Sequence, residues 1–380
     1  MERVYLDHAA TSPMHPEVID EMTAVMKEAF GNPSSIHSFG RASRRLVDHA
    51  RTIIADSIHA DYNEIIFTSG GTEADNLAII GTAEANKEKG THIITTQTEH
   101  HAVLHACEFL ESKGFEVTYL PVDRSGRIAL QDLEKELRDD TILVTIMFGN
   151  NEVGTLQPIK EIGELLQDHQ AYFHTDAVQA FGLTSIDVED LGVDLLSVSG
   201  HKINGPKGIG FLYSHKGVDL QPGSYGGEQE RKRRAGTENV PAIVGLGRAV
   251  EIARHSFEEK HASLSGLKNL LRQTLADKGT QFEENGSLEH GLPHVLNLSF
   301  PGTDVESMLM NLDMSGIAVS SGSACTAGSI EPSHVLVAMY GKQSEQSRNS
   351  IRFSFGLGNT EEQIERVAHE VASIVKRLTI

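Results

Sequence analysis

Between residues 64 and 213 the chain alternates short apolar runs with longer amphipathic stretches, and nothing else in it constrains the fold so strongly. A parallel strand buried on both faces reads as a continuous apolar run, whereas its crossover helix needs only one apolar stripe. The alternation therefore predicts an α/β core around a mainly parallel, seven-stranded sheet, with strands at 64–68, 92–96, 116–120, 142–148, 171–175, 195–199 and 208–213. One long helical pattern follows over 241–275, and beyond Gly286 the order becomes strand, helix, loop, helix, strand, helix. Strands are expected there at 294–300 and 351–355, with a last helix from Thr360. A chain of 380 residues exceeds what one core usually holds. We expect a large domain over 16–255 and a smaller α+β domain built from 1–15 and 256–380.

Acidic residues outnumber basic ones, 53 to 33, for a formal charge of -20, which repels phosphate backbones and argues against direct nucleic-acid binding. The basic run Arg231-Lys232-Arg233-Arg234 reads as a solvated loop, with an anion or acidic-partner site as the sharper alternative. Two cysteines in a chain of this size favour a reducing compartment, so a cytoplasmic protein is expected. The first residues lack the apolar core of a signal peptide, and no segment has the length and apolarity of a membrane span.

Several short constellations can carry chemistry. Ser69-Gly70-Gly71-Thr72-Glu73 follows an expected strand and opens a helix, where free N–H groups and the helix dipole face an anion; the same residues also make an ordinary turn. Ser199-Gly200-His201-Lys202 follows another strand. A lysine desolvated there holds its proton less tightly, and its neutral amine forms Schiff bases; the plain alternative is a surface-loop lysine. Asp176 and Gln179, three residues apart, can face one ligand, with Asp176 keeping a proton on a ring nitrogen or merely capping a helix. His101 and His105 have the spacing of a metal-binding pair, which raises a zinc hydrolase, but no Glu stands between them as that motif requires and no third ligand follows from spacing. We therefore assign no metal ligands. Cys325 lies in Ser320-Ser321-Gly322-Ser323-Ala324-Cys325-Thr326-Ala327-Gly328, small residues from which we expect a mobile, exposed thiol that needs a base or cation to enrich its thiolate. Cys107 shares a helical face with Val103 and Leu110 and is expected in the core.

In their order along the chain, the Ser69–Glu73 turn, Thr98-Glu99-His100, Asn150-Asn151-Glu152-Val153-Gly154, His174-Thr175-Asp176-Ala177-Val178-Gln179, Ser199–Lys202 and Ser321–Cys325 resemble the class I cysteine desulfurases. Tyr5-Leu6-Asp7-His8 near the start and Ser350-Ile351-Arg352 near the end extend the resemblance over nearly the whole chain. It implies a fold-type I pyridoxal 5'-phosphate transferase, a homodimer with active sites near the subunit interface. Lys202 would hold the cofactor covalently and act as base, His100 would stack on its ring, Asp176 would pair with the ring nitrogen and Gln179 with the ring oxygen. Gly71, Thr72, Ser199 and His201 would hold the phosphate, and Thr237 would reach the phosphate bound by the other subunit. Asn151 and Arg352 would hold the carboxylate of L-cysteine, and Cys325 would take the sulfur as a persulfide, releasing L-alanine. The catalytic set is thus Lys202, Cys325 and His100, with the loop of about 320–331 delivering sulfur to an acceptor protein.

Relatives that serve an iron–sulfur scaffold commonly continue past the last helix into a binding tail, whereas this sequence ends at Arg377-Leu378-Thr379-Ile380. A tRNA thiouridylase is therefore the expected acceptor and the iron–sulfur scaffold the alternative. The acidic charge agrees, since the acceptor would hold the tRNA while this chain supplies sulfur. Aminotransfer or selenocysteine lysis would keep Lys202 without needing a persulfide, and an assembly platform would need neither.

Overall fold

A computed structural model describes residues 3–321 and 331–379, so Cys325 and most of its expected loop lie outside the described residues. After a short strand, Val4–Tyr5 (β1), come Ile65–Thr68 (β2), His92–Thr96 (β3), Glu116–Leu120 (β4), Thr141–Thr145 (β5), Tyr172–Asp176 (β6), Leu195–Ser199 (β7) and Gly210–Ser214 (β8). The last seven form one sheet in the order β2-β8-β7-β6-β5-β3-β4. Only β8 runs against its neighbours β2 and β7, so the other six point the same way. β2, β3, β5, β7 and β8 are buried at every residue, which is why they read as unbroken apolar runs.

Two expectations need correction. The strand expected over 142–148 ends at Thr145, because the apolar run continues while the chain leaves the sheet towards the turn at Asn150. Ile146 and Phe148 still donate to the carbonyls of His174 and Asp176, at 3.1 and 2.9 Å, so β6 guides the exit. The single helical pattern over 241–275 is two helices, Val240–His255 and Phe257–Asp277. The break falls at Ser256, whose N–H and hydroxyl both bond to the Ile252 carbonyl and turn the backbone out of helical geometry.

The remaining strands are Glu283–Asn285 (β9), Val295–Ser299 (β10), Ile317–Ala318 (β11) and Ser350–Ser354 (β12). β10 pairs antiparallel with both β9 and β12, and β11 runs parallel to β1. One apolar core gathers residues from Val18 to Val250, and another gathers Val4 and Leu6 with residues from Leu264 to Val375. From these two cores we propose the domain division at 16–255 against 1–15 with 256–380. The final helix, Glu361–Leu378, starts on a capping box made by Thr360 and Gln363. No helix among the described residues is long and apolar enough to cross a membrane.

The basic run is tied down rather than solvated throughout. Arg234 pairs with Glu73 at 2.8 Å, and Arg233 donates to the Asn63 carbonyl at 2.7 Å. Glu230, Arg231 and Lys232 are all left-handed, with φ of 48°, 56° and 68°. Non-glycine residues held there each cost about 1–3 kcal/mol and persist only where the surroundings enforce them. The enforcing contact is a buried bidentate pair, Glu230 with Arg51, at 2.6 and 2.8 Å. Arg51 also donates to the Ile65 carbonyl, and Glu230 accepts the Phe67 N–H, so the pair fastens the loop to β2. Replacing Glu230 with Ala leaves Arg51 buried and unpaired. The expected loss is about 3–5 kcal/mol, read as a lowered midpoint in guanidinium unfolding; an unchanged midpoint would show that the pair does not hold the loop.

Candidate active site

Five of the six co-directed strands bring site residues to one edge of the sheet. Ser69–Thr72 follow β2, His100 follows β3, Asn150–Asn151 follow β5, Asp176 closes β6, and Ser199–Lys202 follow β7. They surround a cavity of about 340 Å³. Gly71, Thr72, His100, Asn151, Asp176, Gln179, Ser199, His201, Lys202 and Arg352 all line it. Thr237 does not: it lies exposed on the loop after the basic run.

At one end the helix Gly71–Ala85 begins on Gly70 with no side chain capping it. Gly70 sits at φ 149°, and a Cβ on Gly71 would stand 2.8 Å from Val178 Cγ2, so only glycines fit this approach. Uncapped N–H groups at a helix start make a cradle for an anion. His201 lies beside it with Nδ1 engaged 3.1 Å from Thr11 Oγ1. Burial, with Lys202 and Lys207 nearby, pushes its pKa down to about 4, so the ring is neutral and Nε2 is left for a ligand.

The floor is acidic and buried. Asp75 and Asp176 lie together with His100, their candidate ligand atoms within 4.8 Å of one another. Burial raises both carboxyls, Asp75 furthest because Asp176 adds like-charge repulsion. Two such carboxylates do not both stay ionised without a proton or cation between them. Asp75 Oδ1 has no hydrogen-bond partner, and Asp176 accepts the Val178 N–H at 2.9 Å. His100 is exposed and lines the cavity, while its Nδ1 accepts the Ala102 N–H at 3.1 Å. Nearby, His101 and His105 are exposed and stacked with centroids 5.2 Å apart.

The lysine stands between this floor and the N-terminal segment. Lys202 Nζ donates to the carbonyls of Ala9 and Ala10. Burial, then the Arg352 charge, lowers its pKa to about 8. Gln179 donates to the same Ala9 carbonyl at 2.9 Å. Arg352, on β12, donates to the Asn151 carbonyl at 2.9 Å and to Asp7 at 2.7 Å, while its Nε–H has no partner. Cys107 is buried among apolar side chains, and burial raises its thiol, so it stays protonated and inert.

Residues 4–367 match the family model for class-V aminotransferases. A Bacillus subtilis (strain 168) protein provisionally named cysteine desulfurase IscS 1 is 64% identical over 379 residues, covering 100% of both chains. Cysteine desulfurase IscS of Methanosarcina thermophila is 52% identical, over 99% of this chain and 92% of the relative. This chain belongs to the cysteine desulfurase family. Among solved structures, a NifS-like protein superposes with a TM-score of 0.92 at 37% identity, over 99% of this chain and 100% of that one. The fold is that of the fold-type I pyridoxal-phosphate enzymes, the cofactor is pyridoxal 5'-phosphate, and L-cysteine is the substrate.

The cavity of this desulfurase fits that cofactor. The uncapped helix start suits a phosphate, the exposed His100 imidazole on the cavity wall suits a flat ring, and the paired carboxyls suit a protonated ring nitrogen, which supplies the missing positive charge. Asp75, His100 and Asp176 thus converge as a metal site would, on a floor already matched to the ring. Asp75 was not among the residues expected from sequence, nor were the carbonyls of Ala9 and Ala10. A helical Asp two residues past a phosphate turn carries no signal of its own, and backbone acceptors carry none at all. With Lys202 as the proposed point of covalent uptake, the rate of cofactor uptake by the apo-protein is expected to climb with pH and level off above about 8, the value that burial sets. Absorbance-monitored reconstitution, run beside a free alkylamine, checks this; a rate still climbing tenfold per unit past pH 9 would mean an ordinary lysine.

Proposed function

We propose that Lys202 holds the cofactor and moves the substrate's α-proton, and that Cys325 takes the sulfur. The observation that supports this most is the placement of the Lys202 amine, half-buried at the cavity and beside Asp176 and Gln179, with a pKa near the working range. In this reading Gly71, Thr72, Ser199 and His201 hold the phosphate, His100 stacks on the ring, Asp176 pairs with the ring nitrogen and Gln179 with the ring oxygen. The bound cofactor supplies an electron sink for charge that develops next to the substrate's α-carbon.

Arg352 and Asn151 orient the substrate carboxylate. Arg352 lines the cavity, and its contacts to Asp7 and the Asn151 backbone hold the guanidinium still. With its amine free and neutral, Lys202 would accept the α-proton and later return one. The Cys325 thiolate attacks the substrate sulfur: a sulfur–sulfur bond forms and the carbon–sulfur bond breaks. The bonding pair stays with the carbon skeleton, which takes up protons and leaves as alanine. Cys325 is left as a persulfide.

Two partner assignments complete the reading. A homodimer is supported by Phe30, Ile36 and Phe39, exposed to 78%, 91% and 56%, with the two phenyl rings 5.1 Å apart. Thr237, exposed on its anchored loop, would then serve the other subunit's phosphate site. The acceptor we propose is a thiouridylase that itself holds the tRNA, since a chain of net charge -20 repels RNA.

Purified enzyme with cysteine and reductant should release alanine and sulfide in equal amounts. Cys325→Ala should keep the yellow colour and lose the sulfide; undiminished sulfide would remove Cys325 as the carrier. With the persulfide radiolabelled, label should pass to a purified thiouridylase, and transfer to an iron–sulfur scaffold alone would reassign the acceptor.

A further inference from the structure

The amide of a glutamine has no orientation of its own; its neighbours choose which end is oxygen. For Gln179 two neighbours choose. The Ala9 carbonyl can only accept, so the amide nitrogen faces it at 2.9 Å. On the other side His294 Nε2 stands 3.1 Å from Gln179 Oε1, and because that oxygen can only accept, Nε2 must carry the ring proton. Rotating the amide by half a turn would set its oxygen against the Ala9 carbonyl, and neither has a proton to give. One orientation survives, with one amide N–H on Ala9 and the other left for the cavity that Gln179 lines.

His294 is itself held. It is 5% exposed, directly precedes β10, and its carbonyl accepts the Phe355 N–H at 2.9 Å, three residues beyond Arg352 on the neighbouring strand. Its Nδ1 has no partner. Burial, and then the charges of Lys260, Lys202 and Lys268 with His8 nearby, keep the ring neutral. A buried imidazole with one nitrogen unpaired is costly, and the contact it makes in return is with Gln179.

We propose that His294 is a positioning residue, whose Nε2–H fixes the Gln179 amide with its second N–H presented to the cofactor. The small-domain sheet then reaches the active site twice, through Arg352 at the substrate and through His294 at the cofactor. The inference rests on the proposed role of Gln179 as donor to the cofactor's ring oxygen. A donor there stabilises negative charge on that oxygen, so its loss weakens cofactor binding and shifts the pH midpoint of the loaded enzyme's visible absorption.

The test is a double-mutant cycle on Gln179→Ala and His294→Phe, reading cofactor dissociation and that spectral midpoint rather than turnover. The phenyl ring keeps the buried volume and removes the donor; His294→Leu serves if it does not fold. His294→Phe is expected to weaken cofactor binding by about 2–10-fold, the worth of one hydrogen bond, and to move the midpoint in the same direction as Gln179→Ala. His294→Gln, which restores an N–H donor, should recover most of both, and His294→Phe should add nothing in the Gln179→Ala background. If Gln179→Ala moves both readouts while His294→Phe moves neither, or if the two effects simply add, His294 does not act through Gln179. If Gln179→Ala moves neither, Gln179 is no cofactor ligand, and the inference falls with that reading.

Discussion

Strand direction is the constraint on which the site depends. With β8 alone reversed, β2, β7, β6, β5 and β3 all end on one edge, and each is followed at once by a functional turn. Parallel pairing requires each connection to cross back over the sheet, so residues more than a hundred positions apart in sequence, such as Thr72 and Lys202, arrive at one cavity without a long loop to carry them. The reversal at β8 has its own consequence. It lets Ser199 and Gly210 pair directly, placing Gly210 against Gly70, where a Cβ would come within 2.9 Å. The turn after β2 is thereby packed closely against the start of β8.

Charge balance is the second organising term. Two carboxyls buried side by side, a lysine short of its full proton affinity and a buried guanidinium make an unfavourable set unless each is matched. Arg352 is matched by Asp7, and Lys202 by two backbone carbonyls rather than by a carboxylate. Carbonyl partners stabilise the ammonium less than an ion pair would, so the amine stays easy to deprotonate. The carboxyl pair is matched only in part by His100, which leaves a place for a cation between ring and floor. The same desolvation thus acts with opposite sign on lysine and carboxyl, and both shifts favour a cofactor that brings a ring proton and takes up an amine.

Much of this was legible in sequence because the informative residues sit at strand ends. The apolar runs located all seven strands of the main sheet to within a few residues, and nine of the ten expected residues that line the cavity sit at or just after the ends of those strands, with Arg352 on β12 as the tenth. What was not legible depended on contacts that leave no local pattern. β1 and β11 are two residues each and exist only because they pair with one another. The break at Ser256 needs a hydroxyl bond that a helical apolar pattern does not encode. The basic run looked solvated because its partners, Glu73 and Asn63, and the Arg51 that pairs with the adjoining Glu230, lie far away in sequence. Cys325, whose role sequence suggests most directly, lies outside the described residues.

The first ten residues show how these terms meet. Leu6 is buried in the small-domain core, and Ala9 donates its N–H to Ser354 Oγ at 2.9 Å, so the segment is fixed to β12. Its carbonyls face the other way, where Ala9 receives both Lys202 and Gln179. Asp7, between these contacts, holds Arg352. A stretch with two residues of regular structure therefore bridges the two cores and supplies the acceptors that hold the Lys202 amine in place. Through Ser354 and Asp7, β12 is thus hydrogen-bonded to the segment that holds the lysine's own partners. Arg352, which would respond to a substrate carboxylate, and Lys202, which would receive the proton, are by this route a few hydrogen bonds apart.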